Sequence, residues 1–192
     1  VNLLLLGPQG SGKGTQAARI AAEYGIPHVS TGEMFRSAIA AQTDLGVRIK
    51  PIYEAGGLVP DELTTPLVEE WLSQNDADRG FALDGFPRTL AQAESLDAML
   101  VAGGRDLDAV LFFDVPDEVS RERMLGRARA EGRTDDTPES IDRRLAAYHR
   151  DTEPVVEHYR ATGKLVPLHA GRDVNSVWAE IQQALDTVAA RR

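Results

Sequence analysis

Gly7-Pro8-Gln9-Gly10-Ser11-Gly12-Lys13-Gly14-Thr15 follows the apolar run Asn2-Leu3-Leu4-Leu5-Leu6. A short apolar run ended by glycine reads as a buried strand. After the glycines, Thr15–Tyr24 has helical period and is closed by Gly25. A strand, a G-x-x-x-x-G-K turn and a helix, in that order, form the context in which such a turn holds phosphate. Glycines let backbone N–H groups approach phosphate oxygens. The helix N-terminus adds partial positive charge, and the lysine reaches the β- and γ-phosphates. An ordinary glycine-rich turn requires neither this spacing nor the lysine.

The rest of the chain repeats the alternation. Strand candidates recur at Pro27–Ser30, Phe81–Asp84, Ala109–Val115 and Leu165–His169. Helical period fills Asp61–Asn75, Leu90–Ala102, Pro116–Leu125, Pro138–Arg150 and Val174–Ala190. This predicts an α/β protein built on a doubly wound five-stranded parallel sheet. At 192 residues it is expected to be a single domain, 1–192. Two stretches break the pattern. Residues 30–59 look helical throughout and predict a small helical insertion. Residues 126–136 are polar, rich in Arg and Gly, without apolar period, and predict a flexible lid loop.

Composition narrows the function. There is no cysteine, so neither a disulfide framework nor a thiolate metal site is available, and zinc is not expected. The four histidines show no metal-ligand spacing. No apolar run approaches the ~18 residues of a membrane span, and a cytoplasmic protein without membrane partners is expected. The net charge of −9 argues against nucleic-acid binding. Yet 18 of the 21 basic residues are arginines, eight of them between Arg121 and Arg150. Such a cluster suits a concave anion site or, more simply, a solvated helix face.

Further motifs decide between motor, switch and kinase. The place after Lys13, where a phosphate loop usually has Ser or Thr, is Gly14, and Thr15 follows. Ser30–Arg36 reads STGEMFR, Gly57–Leu63 GLVPDEL, Asp84–Gln92 DGFPRTLAQ, Gly132–Asp136 GRTDD and Arg143–Leu145 RRL. In order and spacing, over nearly the whole length, these resemble the adenylate kinase family in its short-lid form. Pro8-Gln9 departs from the family's usual order of a small residue then proline.

The resemblance implies the following roles. Gly10, Ser11, Gly12, Lys13, Gly14 and Thr15 would cradle ATP phosphates. Arg36 and Arg88 would clamp the AMP phosphate, with Thr31, Gly32, Gly57, Leu58, Val59, Gly85 and Gln92 around its base and sugar. Arg123 would lie over the ATP adenine, near backbone at Gly171 and Arg172. Arg127, Arg133 and Arg144 would converge on the transferring phosphoryl group, and Asp84 would hold Mg²⁺ through water. Asp135 and Asp136 would latch the closed lid. Arg133 and Arg144 are expected to matter little for the core.

The residues themselves agree. Arg123 and Arg127, four apart, share one helix face, and Asp84 ends a strand at the edge where ligands bind in such sheets. The expected reaction joins ATP and AMP to give two ADP, serving adenine-nucleotide homeostasis in a monomeric enzyme. The alternatives are a kinase for CMP, UMP or shikimate, a non-catalytic P-loop protein, and a nucleic-acid-binding ATPase.

Overall fold

The computed structural model describes residues 1–74 and 79–190. Five parallel strands form one sheet: β1 (Asn2–Leu6), β2 (His28–Ser30), β3 (Phe81–Asp84), β4 (Ala109–Asp114) and β5 (Leu165–His169). Their spatial order is β2-β3-β1-β4-β5. Successive side chains of a strand point to opposite faces, so β1 supplies two cores. Leu4 and Leu6 pack with Leu83, Phe86 and Val110 beneath α4 (Asp61–Gln74), α5 (Leu90–Ala102) and α8 (Glu153–Ala161). Leu3 and Leu5 pack with Ala82, Leu111 and Phe113 beneath α1 (Lys13–Tyr24) and α9 (Val174–Ala189). A strand covered on both faces needs no polar positions, which explains the unbroken leucines.

Register then places the site. Leu5 lies opposite Asp84 of β3, and Leu6 opposite Phe112 of β4. The turns leaving β1 and β3 therefore emerge side by side at the carboxyl edge of the sheet.

Residues 31–54 form α2 (Thr31–Ala40) and α3 (Asp44–Glu54), capped by the side chains of Ser30 and Thr43. They share a small core of their own: Phe35, Ile49, Tyr53 and Val59. The two helices approach so closely that a Cβ on Gly46 would lie 2.0 Å from the Ala38 carbonyl oxygen.

Two expectations need correction. The flexible loop expected over residues 126–136 is helical through Glu131. α6 spans Asp117–Glu131 and ends at Gly132, which takes the left-handed conformation at φ 63°. Only Ser120 and Met124 of α6 are buried, so its last turns carry no apolar period although Arg, Ala and Glu favour helix. The helix expected at Pro138–Arg150 is α7 (Pro138–Ala147), which continues through a π-helical turn (Tyr148–Thr152) into α8. α8 has no counterpart among the expected helices. Its Pro154 comes directly after the π-helical turn, where the Glu153 N–H reaches the Tyr148 carbonyl, and it has no N–H with which to continue that ladder. Asn75, the expected end of α4, lies outside the described residues.

The contact at Gly46 yields a test. Gly46→Ala should destabilise the protein by about 1–3 kcal/mol, as overpacking does, read as a lower urea midpoint with an unchanged slope.

Candidate active site

The turn after β1 is shaped by glycine. Gly7, Gly10 and Gly12 have φ of 148°, 78° and 92°. A Cβ on Gly10 would also strike the Ser120 carbonyl oxygen at 2.5 Å. α1 begins directly after Gly12 with no side-chain cap, so its first N–H groups remain free for an anion. Lys13 Nζ donates to the carbonyls of Gly7 (2.7 Å) and Pro8 (2.8 Å) and to Ser11 Oγ (3.3 Å). Its enclosure lowers its pKa to about 8. Asp84 opposes that fall, while Arg88 and Arg127 add to it.

Asp84 ends β3 and faces this loop. A Cβ on Gly14 would stand 3.8 Å from Asp84 Oδ2, and His28 Nε2 lies 3.7 Å from the same oxygen. Burial alone would raise the Asp84 pKa, but His28, Lys13 and Arg88 outweigh it and keep the carboxyl below its usual range. One ionised carboxylate opposite a phosphate loop suits Mg²⁺, which keeps most of its waters when protein-bound.

A second cationic group sits beyond Gly85. A Cβ on Gly85 would meet Thr31 Oγ1 at 2.5 Å and Arg88 Nη2 at 3.6 Å. Arg88 Nε donates to the Gly85 carbonyl at 2.9 Å, and Arg36 Nη1 to the Tyr53 hydroxyl at 3.0 Å. Neither arginine has a carboxylate within 4.0 Å among the described residues. Burial pushes the Arg88 pKa down, opposed by Tyr53 and Asp84, with Arg144 and Arg36 adding to the fall. A half-buried guanidinium without a counter-charge is the condition an anion relieves. Next to Arg88, a small recess is lined by Phe35, Gly57, Leu58, Val59, Thr64 and Gln92. Thr31 is fully buried, and its hydroxyl has no hydrogen-bond partner among the described residues.

Both groups open into one cleft of about 770 Å³, which also takes in Gly32, Thr15, Arg123, Arg127, Arg133, Arg144 and Arg172. Arg123 Nη1 donates to the carbonyls of Ala170 (2.8 Å) and Ser11 (3.4 Å), and Nη2 to that of Arg172 (3.1 Å). It thus joins the turn after β5 to the phosphate loop. Gly171 is not among the residues lining the cleft; a Cβ there would face Pro116 at 3.5 Å.

Arg127, Arg133 and Arg144 come together on Asp135 and Asp136. Arg127 pairs with Asp136 at 2.8 and 3.1 Å, and Arg133 with Asp135 at 3.0 and 2.6 Å. Arg144 reaches Asp136, Asp135 (3.0 Å) and the Tyr53 carbonyl (3.1 Å). Arg144 is only 6% exposed, which corrects the expectation that it matters little for the core. Tyr53, whose hydroxyl, carbonyl and ring all meet arginines, was not anticipated. Neither was His28. Their own neighbourhoods in the sequence carry no motif; only the fold brings them to arginines or to Asp84.

This cluster predicts two outcomes. Arg144→Ala leaves buried carboxylates short of a partner and should lower unfolding free energy by about 3–5 kcal/mol, measured by denaturant titration. Burial opposes ionisation of Asp135, but Arg133 and Arg144 hold its pKa at about 2. A carboxyl whose pKa is depressed on folding stabilises above its unfolded value of ~4. That contribution should disappear as pH falls from about 4 to about 2, and Arg133→Ala should flatten this acid limb.

Comparison with known proteins agrees with the geometry. The family model described as adenylate kinase matches residues 5–164. The chain is 47% identical to the adenylate kinase of Micrococcus luteus, over 97% of this chain and 91% of that one. It is 47% identical to that of Methylobacterium nodulans, over 96% of each. It is 42% identical to that of Shouchella clausii, over 96% of this chain and 98% of the relative. With a phosphate loop and an uncompensated arginine pair in one cleft, and with relatives matched along almost its whole length, the chain belongs to the adenylate kinase family.

Proposed function

We propose that this cleft transfers the γ-phosphoryl group of Mg·ATP to AMP, reversibly, giving two ADP. Membership of the family makes the chain an ATP:AMP phosphotransferase; the residue roles below are our reading. The observation that carries them is the pairing of two different anion sites in one cleft. The phosphate loop with Lys13 takes the triphosphate. Arg36 and Arg88, which lack carboxylate partners among the described residues, take the monophosphate. Gln92 and the recess around Val59 receive its base.

The acceptor phosphate is already an anion at neutral pH, so its attacking oxygen needs no general base. Catalysis then rests on alignment and charge stabilisation. Lys13, Arg127, Arg133 and Arg144 supply positive charge on the donor side, and Arg88 on the acceptor side. The arginine forks retain N–H groups beyond those given to Asp135 and Asp136. Asp84 would hold Mg²⁺ through water, where the ion neutralises phosphate charge. Arg123 and Arg172 frame the place for the donor base, with Gly171 contributing only to the turn that carries Arg172. Asp135 and Asp136 hold the arginines in aim, which fits a latch at the end of α6. Such a lid would exclude water, the competing acceptor; adenylate kinase lid closure is a standard example of this gating. A cytoplasmic monomer is the simplest setting for it.

Lys13→Met should keep the fold and lower kcat by roughly a hundredfold or more, because it removes charge aimed at the transition state. Near-normal turnover in the folded variant would refute the phosphate-loop role. Arg133→Ala should lower kcat strongly, up to about a thousandfold, while the exposed Arg129→Ala should not. Equal losses would indicate a general field instead of a contact. With Mg·ATP fixed, kcat/KM for AMP should exceed that for CMP and UMP by at least ~10²-fold. Comparable values would overturn the assignment of the acceptor recess.

A further inference from the structure

Thr89 caps α5, its side chain accepting from the Gln92 N–H at 3.2 Å. Thr-x-x-Gln is the spelling of a capping box, in which the glutamine reaches back to the cap's own N–H. Here it reaches one residue further: Gln92 Oε1 accepts from the Arg88 N–H at 2.7 Å. At its other end, Gln92 Nε2 donates to Asp61 Oδ1 at 2.7 Å. Asp61 is the first residue of α4 and 31 positions away in sequence. Gln92 is 3% exposed.

A primary amide offers two N–H donors and two oxygen lone pairs. One of each is taken here, which leaves one of each for a ligand. The backbone N–H of Arg88 can only donate, and an ionised carboxylate can only accept. Turning the amide by half a turn would set donor against donor at Arg88 and acceptor against acceptor at Asp61. In a buried place that leaves several polar groups unpaired.

We propose that Asp61 is a positioning residue for base specificity: by pinning the Gln92 amide in one orientation, it makes the acceptor recess read adenine and reject guanine. This rests on the reading of Gln92 as the residue that faces the acceptor base. Adenine presents an acceptor ring nitrogen beside an amino donor. Guanine presents, at the same two places, a donor ring N–H beside a carbonyl acceptor. The two patterns are inverted, so a freely turning glutamine could serve either purine. Ring size does not separate them. A glutamine locked at both ends meets adenine with complementary groups and guanine with opposed ones. Asp61 itself need not touch the substrate. Its simpler role, an acid in the first turn of α4 complementing the helix dipole, is shared by Glu62 and carries no preference between bases.

Asp61→Asn is the sharpest variant. It keeps size and shape, but its own amide can turn and so accepts either orientation of Gln92. Asp61→Ala is the second variant, and thermal unfolding checks that each is folded. The measurement is kcat/KM for AMP and for GMP at saturating Mg·ATP, in the unmodified protein, both variants, Gln92→Leu, and Asp61→Asn combined with Gln92→Leu. The AMP:GMP preference should fall about tenfold in Asp61→Asn. Some preference should remain because the Arg88 N–H still holds one end. In the Gln92→Leu background, Asp61→Asn should leave the preference unchanged. Equal losses for AMP and GMP, at constant ratio, would reduce Asp61 to a helix-start residue and overturn the proposal. If Gln92→Leu collapses the preference while neither Asp61 variant shifts it, the Asp61 proposal alone fails. If Gln92→Leu also leaves it intact, the base-facing reading of Gln92 fails first.

Discussion

Like charges at short range repel, and among the described residues eight cationic side chains line the main cleft against four carboxylates, in a chain whose net charge is −9. They must stay together while no phosphate is bound. Much of the local structure answers that demand. Lys13 is solvated by loop carbonyls, Arg123 by those of Ala170 and Arg172, Arg88 by that of Gly85. Dipoles of this kind steady a cation without cancelling its charge. Arg172 pairs with Glu180, and Arg127, Arg133 and Arg144 receive full counter-charges as three guanidiniums sharing two carboxylates. The net charge of that group stays positive, so it can still attract phosphate.

The same constraint ties the helical insertion to the remainder of the fold. Arg144 donates to the Tyr53 carbonyl and Arg143 to that of Ala55. Gly56 packs so tightly on α7 that a Cβ there would lie 2.4 Å from the Ser140 carbonyl oxygen. The end of α3 is therefore anchored by residues that neighbour the arginine cluster. Position and charge are coupled: moving the insertion disturbs the partners of Arg144.

The strands and the glycine-rich turn after β1 were legible in the sequence because each is a local pattern, whereas the arginines of the cleft were singled out only by the family resemblance. Leu3–Leu6 declares a doubly covered strand, and G-x-x-x-x-G-K declares its turn by spacing alone. What was not legible depends on partners far away. The helical state of residues 126–131 is invisible to apolar periodicity because that part of α6 buries nothing. Arg143 and Arg144 look alike as neighbours, yet one is exposed and the other is enclosed by Asp135, Asp136 and Tyr53, the last 91 residues upstream. The lock on Gln92 joins two helices through Asp61, and in the sequence that aspartate reads only as the start of α4.

Lys13 also shows why the other cations of the cleft are arginines. Its pKa falls from an ordinary 10.5 to about 8 in this environment. A lysine in place of Arg88 would meet burial with two further guanidiniums nearby, all of which push a cation toward its neutral form. The downward push on Arg88 acts on a group that is far more basic to begin with, so the guanidinium stays charged. A planar guanidinium fork can also offer a phosphate two parallel N–H donors, which an ammonium cannot do. Lysine is therefore tolerable at one place, inside a loop whose carbonyls and facing Asp84 favour the protonated form. Elsewhere in the cleft, a site that must be positive before its ligand arrives requires arginine. Among the described residues seven of the eight cations that line the cleft are arginines, the side chain that burial and neighbouring cations are least able to neutralise.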